Sequence, residues 1–117
     1  MNKIAITSEG PTLKDRVDPR FGRAAGFIII DPETEKHEYV DNGSSQTMAH
    51  GAGIQAAQQI ADKGAAVLLT GYVGPKAFQA LQSAGVKIVQ HLDNMSVQEA
   101  LDRYLAGGLD YADEANK

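Results

Sequence analysis

Arginine is concentrated in one loop of an otherwise acidic sequence, and this loop is a candidate anion-binding element. The segment KDRVDPRFGR contains Lys14, Arg16, Arg20 and Arg23, whereas the whole chain of 117 residues has a net charge of -4. Guanidinium groups bind multiply charged anions through hydrogen bonds of fixed geometry. The alternative is a solvated loop whose arginines pair with neighbouring aspartates, and such exposed pairs contribute little. Taken alone, the loop does not decide between these interpretations.

A second candidate is the glycine-rich turn in LLTGYVGPKAFQAL, residues 68–81. The pattern predicts a buried strand that leads into a helix, with Gly71, Gly74 and Pro75 between them. A helix that begins here directs free backbone N–H groups and the positive end of its dipole towards a ligand. The same residues also suit a tight strand-to-helix turn that binds nothing. Any ligand is bound without thiolate, because the sequence contains no cysteine.

The third candidate is the loop GSSQTMAHGAG, residues 43–53. Gly51 and Gly53 would allow the backbone to approach a ligand closely, and the helix that follows presents a second N-terminus. His50 is able to donate a hydrogen bond or bind a metal. Met48, and Met95 in a separate loop, offer soft thioethers that suit copper(I). In the alternative interpretation His50 caps the helix and the methionines only fill space, so no metal ligand is assigned with certainty.

The predicted secondary structure places these loops on an α/β fold. Strands are predicted at 3–8, 24–31 and 35–41, and they form an antiparallel meander because no helix separates them. After Asn42 the pattern becomes helix, strand, helix, strand, helix. Right-handed crossovers then return the fourth strand beside the first. We therefore predict a five-stranded mixed sheet of order 3-2-1-4-5 with helices on both faces, in a ribonuclease-H-like topology.

Hydrophobic spacing also predicts which helix faces are buried. In the first helix Ile54, Ala57, Ile60 and Ala61 are expected on one face. In the last helix Ser96 and Glu99 form a predicted capping box. The face expected to be buried there consists of Val97, Ala100, Leu101, Tyr104 and Leu105. The whole chain, 1–117, is predicted to be one domain with a core over about 3–105 and a frayed C-terminal tail.

Composition and missing motifs narrow the function. The net charge of -4 argues against general nucleic-acid binding. No apolar run approaches the roughly 20 residues needed to span a bilayer. The start of the chain does not resemble a signal peptide, and with no cysteine the expected location is cytoplasmic. The phosphate-binding loop, the dinucleotide fingerprint and the nucleophile elbow are all missing from the sequence, which favours a binding protein over an enzyme.

The candidate loops should meet at one end of the sheet. Ligands of open α/β sheets bind at the carboxyl ends of the parallel strands, where the strand order reverses. In the predicted order this point lies between the first and fourth strands. The segments expected there are 8–23, 44–53, 71–75 and 91–95.

Three motifs together resemble the dinitrogenase iron–molybdenum cofactor biosynthesis family, which includes nitrogenase cofactor carriers and small proteins of anaerobes. They are VDPRFGRA at 17–24, HGAGIQAAQQIADKGAAVLLTGYVGPKAFQAL at 50–81 and AGVKIV at 84–89. The resemblance covers about 3–105 and implies a ribonuclease-H-like fold. It also implies that the chain carries a noncovalently held metal–sulfide cluster. The expected cargo is a molybdenum–copper sulfide cluster or, alternatively, an iron–molybdenum cofactor or its precursor.

The resemblance implies roles for particular residues. Arginines would balance the cluster charge, glycines would permit close approach, and apolar side chains would wall the pocket. These contacts are Arg16, Arg20, Phe21, Arg23, His50, Gly51, Gly53, Gly71, Tyr72, Val73 and Gly74. Met48, His50 and Met95 are secondary candidates for metal contact. The family also implies a partner, a nucleotide-dependent ATPase of the septum-positioning type.

Two alternative functions stay open at this stage. One is a small enzyme that acts on a phosphate or another oxyanion, with Ser8, Thr70 or His50 in the chemistry. The other is an interaction module whose cleft binds nothing.

Overall fold

The structure is a computed structural model that describes residues 3–43 and 50–117. Three strands at the start of the chain form the antiparallel half of its sheet. They are β1 (Lys3–Ser8), β2 (Gly26–Ile30) and β3 (His37–Asp41). β2 pairs antiparallel with both neighbours. All of its residues are buried, whereas β3 forms an exposed edge. The predicted meander is confirmed.

The second half of the chain alternates helices and parallel strands, also as predicted. Its elements are α1 (Ala52–Asp62), β4 (Ala65–Leu69), α2 (Pro75–Ser83), β5 (Lys87–Val89) and α3 (Val97–Ala106). β4 lies parallel to β1, and β5 lies parallel to β4. The resulting order, β3-β2-β1-β4-β5, confirms the prediction. Within the described residues no helix is long and apolar enough to cross a membrane.

Alternating side chains of the strands supply two hydrophobic cores, one on each face of the sheet. Phe27 and Leu68 point to the face covered by α1 and α2. Ile28 and Leu69 point to the face covered by α3. Helices therefore cover both faces, and the cleft described below opens beside α1 and α2.

The structure corrects the predicted burial of two large side chains. Ile54 is 49% exposed and Leu105 is 54% exposed. The buried row of α1 is instead Ala52, Ala56, Ala57 and Ile60. Small residues form this row because α1 packs closely on α2, and Ile54 lies outside the contact. In α3 the Ser96 half of the predicted capping box is present, since the Ser96 hydroxyl accepts the Glu99 N–H at 3.0 Å, while the Glu99 carboxylate pairs with Arg103 at 2.8 Å.

Residues 107–117, here called the C-terminal strap, pack along the edge of the sheet, which differs from the predicted frayed tail. Gly107 and Gly108 have φ values of 86° and 88°, and they turn the chain back after α3. The Ala112 N–H then donates to the Ile88 carbonyl at 2.7 Å. Ala112 also packs against the core under α1 and α2. The polar composition of the strap hides this contact, because the apolar residues that pack on the domain, Leu109, Ala112 and Ala115, are separated by polar and charged ones.

Candidate functional site

The ends of β1 and β4 are joined by buried hydroxyl groups that fix the loop after β1. Thr7 and Thr70 are fully buried, and their hydroxyl oxygens lie 2.9 Å apart. The Thr7 hydroxyl also donates to the Asp18 carbonyl at 2.7 Å. The neighbouring Ser8 is fully buried and donates to the Gly10 carbonyl. Ser8 and Thr70 therefore serve as structural hydrogen-bonding groups in this fold, which weakens the enzyme interpretation.

Asp18 shapes the arginine-rich loop from within. Its side chain is almost completely buried and accepts the backbone N–H groups of Arg20 and Ala25, each at 3.1 Å. The Arg20 Nε lies 3.5 Å from the same carboxylate, and the Arg20 side chain is 53% exposed. The other candidate partner, Asp15, accepts hydrogen bonds from Thr12 at 2.8 Å. The loop conformation therefore depends on Asp18, while Arg20 extends towards solvent.

Backbone hydrogen bonds attach the loop to the turn between β4 and α2. The Phe21 N–H donates to the Tyr72 carbonyl at 3.1 Å, and the Tyr72 N–H donates to the Pro19 carbonyl at 2.7 Å. A Cβ atom at Gly71 would lie 2.6 Å from the Pro19 carbonyl oxygen. Gly71 is therefore required by the contact between the two loops. Its predicted role, close approach of a ligand, stays a prediction.

Two further glycines bring the helix starts together. A Cβ atom at Gly22 would lie 2.9 Å from the backbone of Gly53, and one at Gly53 would lie 2.6 Å from the Ala77 Cβ. The arginine-rich loop, α1 and α2 therefore meet with almost no side-chain volume between them. Gly74, by contrast, has open space around its Cβ position. Of these glycines, Gly74 is the one whose surroundings leave room for a ligand.

These three segments and the end of the C-terminal strap surround a cleft of about 470 Å³. Four of its lining side chains are cationic, namely Arg20, Arg23, Lys76 and Lys117. Among the described lining residues none is aspartate or glutamate. This charge pattern contrasts with the net charge of -4 of the chain. The cleft is therefore a local positive site on an acidic protein.

The backbone adds to the positive potential of the cleft. α1 and α2 both begin at its wall, with Gly51 and Gly74 as their N-cap residues. Glycine has no side chain with which to cap the first-turn N–H groups. Pro75 removes one of these donors in α2, and the rest lie beside the positive ends of two helix dipoles. This is the arrangement expected for an anion site.

Apolar groups complete the cleft wall. Phe21, Ala52, Ile54 and Ala77 line it together with the aromatic ring of Tyr72. Ile54 and Tyr72 are two of the most exposed large hydrophobic side chains among the described residues, at 49% and 39%. Exposed apolar surface beside cationic groups suits an anion with diffuse charge and weak hydration, because such an anion gains from contact with both.

The structure brings most of the predicted site residues together. Those that line the cleft are Arg20, Phe21, Arg23, His50, Gly51, Gly53, Tyr72 and Gly74. Gly71 and Val73 lie in the adjoining turn, and Val73 is fully buried beneath the surface. Val73 therefore supports the wall from inside and does not face the cleft.

Two other predicted residues lie elsewhere, and a third is outside the described residues. Arg16 forms a backbone bridge with Ser96, on the side of the loop that contacts the start of α3. Met95 is only 9% exposed and belongs to the core under α3. Its thioether fills the hydrophobic core, so a metal contact from Met95 at the cleft does not fit this fold. Met48 lies outside the described residues.

Sequence reasoning missed Lys76, Lys117 and the exposed face of Ile54. Lys76 was detectable, because it follows Pro75 in the first turn of a helix predicted to point at the site. Lys117 was not, because its position depends on how the strap folds. Within 3–43 and 50–117 there is also no group of three or more His, Cys, Asp or Glu side chains that could hold a metal ion. The described cleft therefore offers N–H groups, cations and apolar surface as its binding chemistry.

Comparison with known proteins gives a consistent result. The family model described as dinitrogenase iron–molybdenum cofactor matches residues 2–107. The apo form of the orange protein from Desulfovibrio gigas superposes with a TM-score of 0.98 at 60% identity, covering 100% of this chain and 98% of that chain. A Thermotoga protein of the DUF35 family has a TM-score of 0.82 at 39% identity, with coverage of 95% and 93%. An uncharacterised protein of Methanocaldococcus jannaschii is 29% identical over 111 residues, 92% of this chain and 89% of that protein.

Proposed function

The chain belongs to the dinitrogenase iron–molybdenum cofactor family, and on that premise we propose that it binds and carries a molybdenum–copper sulfide cluster without covalent ligands. Family membership and the likeness to the orange protein support the coarser role, a carrier of a metal cluster. The identity of the metals is our proposal. The cluster is cargo in this account, and the chain itself performs no reaction on it.

One observation carries the proposal, namely the charge of the cleft. Four lysine or arginine residues line it, and the described lining residues include no aspartate or glutamate, on a chain whose net charge is -4. A thiomolybdate-type cluster is a polyanion whose charge is spread over several sulfur atoms. Guanidinium groups and backbone N–H groups are suitable donors to such acceptors, because they are weakly hydrated or already fixed in place. Each donor needs to supply only a modest part of the binding free energy.

The apolar wall favours a sulfide cluster over a small oxyanion. Ile54 and Tyr72 expose hydrocarbon at the cleft. Sulfate or phosphate would lose strongly bound water on contact with these groups, at a cost in free energy. A cluster with sulfur at its surface is less hydrated and gains dispersion contacts with the same groups. The cleft therefore fits a soft polyanion better than a phosphate ester.

The absence of cysteine from the sequence is compatible with this mode of binding. A cargo held by charge, N–H groups and apolar contact enters and leaves without breaking a metal–protein bond. His50 lines the cleft and remains a candidate for metal contact. An iron–molybdenum cofactor or its precursor is the alternative cargo, since the same cleft chemistry suits it. An ATPase partner stays a prediction that comes from the family resemblance.

The test is a titration of the purified protein with tetrathiomolybdate and a copper(I) salt, followed by gel filtration and metal analysis. We expect charge-transfer absorption bands that co-elute with the protein at a fixed molybdenum-to-copper ratio. Arg23→Ala should weaken binding about ten- to a hundredfold, because a charge-assisted hydrogen bond contributes about 1.5–3 kcal/mol. Arg103→Ala is the control, since Arg103 pairs with Glu99 on α3 at 2.8 Å, outside the cleft lining.

Three results would contradict the proposal or change the identity of the cargo. Colour that separates from the protein during gel filtration would contradict a molybdenum–copper carrier. Binding that survives unchanged in Arg23→Ala would contradict the role of charge in the cleft. Binding of an isolated iron–molybdenum cofactor in place of the copper cluster would favour the alternative cargo.

A further inference from the structure

The C-terminal strap is attached to the cleft through the side chain of one residue, Asn116. Its Oδ1 accepts the Val73 N–H at 2.8 Å, and its Nδ2 donates to the Gly71 carbonyl at 2.9 Å. The Asn116 backbone N–H donates to the Val73 carbonyl at 3.2 Å. These groups belong to the turn between β4 and α2, which forms one wall of the cleft. The next residue, Lys117, lines the cleft itself.

We propose that the strap is a working part of the cleft, in which Asn116 is a positioning residue and Lys117 is a cationic contact for the bound anion. The nature of that anion rests on the proposed function. The attachment of the strap to the turn rests only on the hydrogen bonds of Asn116, and it is therefore independent of the identity of the ligand.

The chemistry of the side chain explains why asparagine suits this position. The turn presents one donor, the Val73 N–H, and one acceptor, the Gly71 carbonyl, to the same side chain. An amide supplies the matching acceptor and donor from one planar group. Aspartate would supply acceptors only and would repel the Gly71 carbonyl. Alanine would leave both backbone groups without this partner.

Other contacts fix where Lys117 lies. The Ala112 N–H donates to the Ile88 carbonyl at 2.7 Å, and the Gln90 Nε2 donates to the Glu114 carbonyl at 3.2 Å. Ala112 and Ala115 pack against the core under α1 and α2. The strap is therefore held along β5 before it reaches the turn, where Asn116 attaches it next to Lys117.

The distribution of charge along the strap supports a binding role. Residues 107–117 contain three carboxylates, at Asp110, Asp113 and Glu114, and one lysine. Of these four charged side chains, Lys117 alone lines the cleft. The strap thus brings a lysine to the site while its aspartate and glutamate side chains lie outside the described lining.

The first experiment examines the attachment without any ligand. Amide hydrogen exchange of Val73 is measured by NMR in wild type and in Asn116→Ala. We expect exchange at Val73 to accelerate about tenfold or more in the variant, because its hydrogen-bond acceptor is removed. Gln98→Ala, which removes an exposed amide on α3, is the control and should leave Val73 unchanged. Unchanged exchange in Asn116→Ala would overturn the positioning role.

The second experiment measures affinity for the cluster formed from tetrathiomolybdate and copper(I). Lys117→Gln should weaken binding about fivefold and reduce its dependence on salt, whereas Lys117→Arg should retain both. Lys36→Gln, an exposed lysine away from the cleft, is the matched control. Equal affinity and salt dependence in Lys117→Gln and wild type would overturn the role of Lys117.

A double-mutant cycle shows whether Asn116 acts through Lys117. If it does, Asn116→Ala combined with Lys117→Gln should bind no more weakly than Lys117→Gln alone. Fully additive losses would overturn that link. A wild type that binds no cluster would contradict the proposed function and the Lys117 contact together. The Val73 exchange would still decide the attachment of the strap.

Discussion

Two hollows of similar size lie at opposite ends of the sheet, and only one has the features of a binding site. The cleft, about 470 Å³, lies at the carboxyl ends of β1 and β4. The second hollow, here called the rear groove, measures about 500 Å³. It lies at the amino ends of the parallel strands, and its lining includes Lys3, Lys87, Tyr104, Leu105 and Tyr111 together with shorter apolar residues of the strands and turns. Both hollows contain lysines and exposed hydrocarbon, and neither has an aspartate or glutamate among its described lining residues.

The difference lies in the backbone and in how the side chains are used. Two helices begin at the cleft, whereas α3 ends at the rear groove, so that the groove faces the negative end of a helix dipole. In the groove, the Tyr104 and Tyr111 hydroxyls lie 2.8 Å apart, and the Lys87 Nζ lies 4.9 Å above the Tyr111 ring. These polar groups bind one another. Volume and charge count alone therefore do not identify the site, and backbone polarity does.

The largest effect is expected from a substitution that forces apart the two loops in contact at the cleft. Gly71→Ala would place a Cβ 2.6 Å from the Pro19 carbonyl oxygen, a backbone atom with little freedom to move. We expect the free energy of unfolding to fall by about 1–3 kcal/mol, as for overpacking elsewhere. Urea denaturation measures this change. Gly74→Ala is the matched control, because its Cβ position is open and its φ of -75° suits alanine.

Equal stability of the two glycine variants would show that the contact between the loops is not tight. The cleft would then not depend on it, and Gly71 would again be a candidate for direct approach of a ligand.

Removing one lysine charge from the cleft and one from the rear groove tests whether the cluster binds at the helix starts or wherever lysines are present. Lys76→Gln removes a cation from the first turn of α2 at the cleft, and Lys87→Gln removes one from the rear groove. We expect Lys76→Gln to weaken cluster affinity about fivefold, since an exposed charge contributes on the order of 1 kcal/mol. Lys87→Gln should bind like wild type. Isothermal titration calorimetry with the tetrathiomolybdate–copper cluster measures both, and similar losses in the two variants would indicate a nonspecific charge effect.

Two isolated hydrophobic side chains provide a test of the apolar wall. Ile54 at the cleft is 49% exposed, and Leu105 at the rear groove is 54% exposed. Ile54→Ser should weaken cluster binding about two- to fivefold, because partial burial of a side chain contributes on the order of 1 kcal/mol. Leu105→Ser should leave the affinity unchanged. An equal affinity in Ile54→Ser would show that charge alone holds the cargo, and the preference for a sulfide cluster over an oxyanion would lose its support.

Much of this architecture was predictable from local pattern and topology. The order of the strands followed from the missing helices between β1, β2 and β3 and from the handedness of the later crossovers. The meeting of the arginine-rich loop with both helix starts followed from the same topology, since strand ends at a switch point converge. These features depend on rules that hold for short stretches of chain, so the sequence was sufficient for them.

The remaining details depend on packing that no spacing rule encodes. Ile54 fits the hydrophobic period of α1 but lies outside the core. The residue of α1 that packs against Ala77 of α2 is its neighbour, Gly53. The thioether of Met95 suits both a soft metal ligand and a core residue, and its burial in the folded structure decides for the core. Lys117 reaches the cleft through the hydrogen bonds of Asn116. Such long-range contacts are set by the assembled fold.

The smallest expected effect concerns the tyrosine pair of the rear groove. Burial, followed by the hydrogen bond with Tyr111, raises the pKa of Tyr104 to about 12. A folded-state pKa above the ordinary value of about 10 means that the contribution to stability is complete below pH 10. It is lost as the pH rises towards 12, because the unfolded chain releases the proton more easily. The free energy of unfolding, measured with urea, should therefore fall over this range more in wild type than in Tyr104→Phe.

The Tyr104→Phe variant also tests whether the rear groove affects binding at the cleft. At pH 8 the Tyr104 phenol is neutral, and Tyr104→Phe should bind the tetrathiomolybdate–copper cluster with the wild-type affinity. Absorbance at about 295 nm follows ionisation of the phenols directly, and the part of the late titration that is missing from Tyr104→Phe belongs to Tyr104. An equal late titration in wild type and Tyr104→Phe would contradict the raised pKa of Tyr104. A loss of cluster affinity in Tyr104→Phe would instead show that the rear groove influences the cleft, and the distinction between the two hollows would fail.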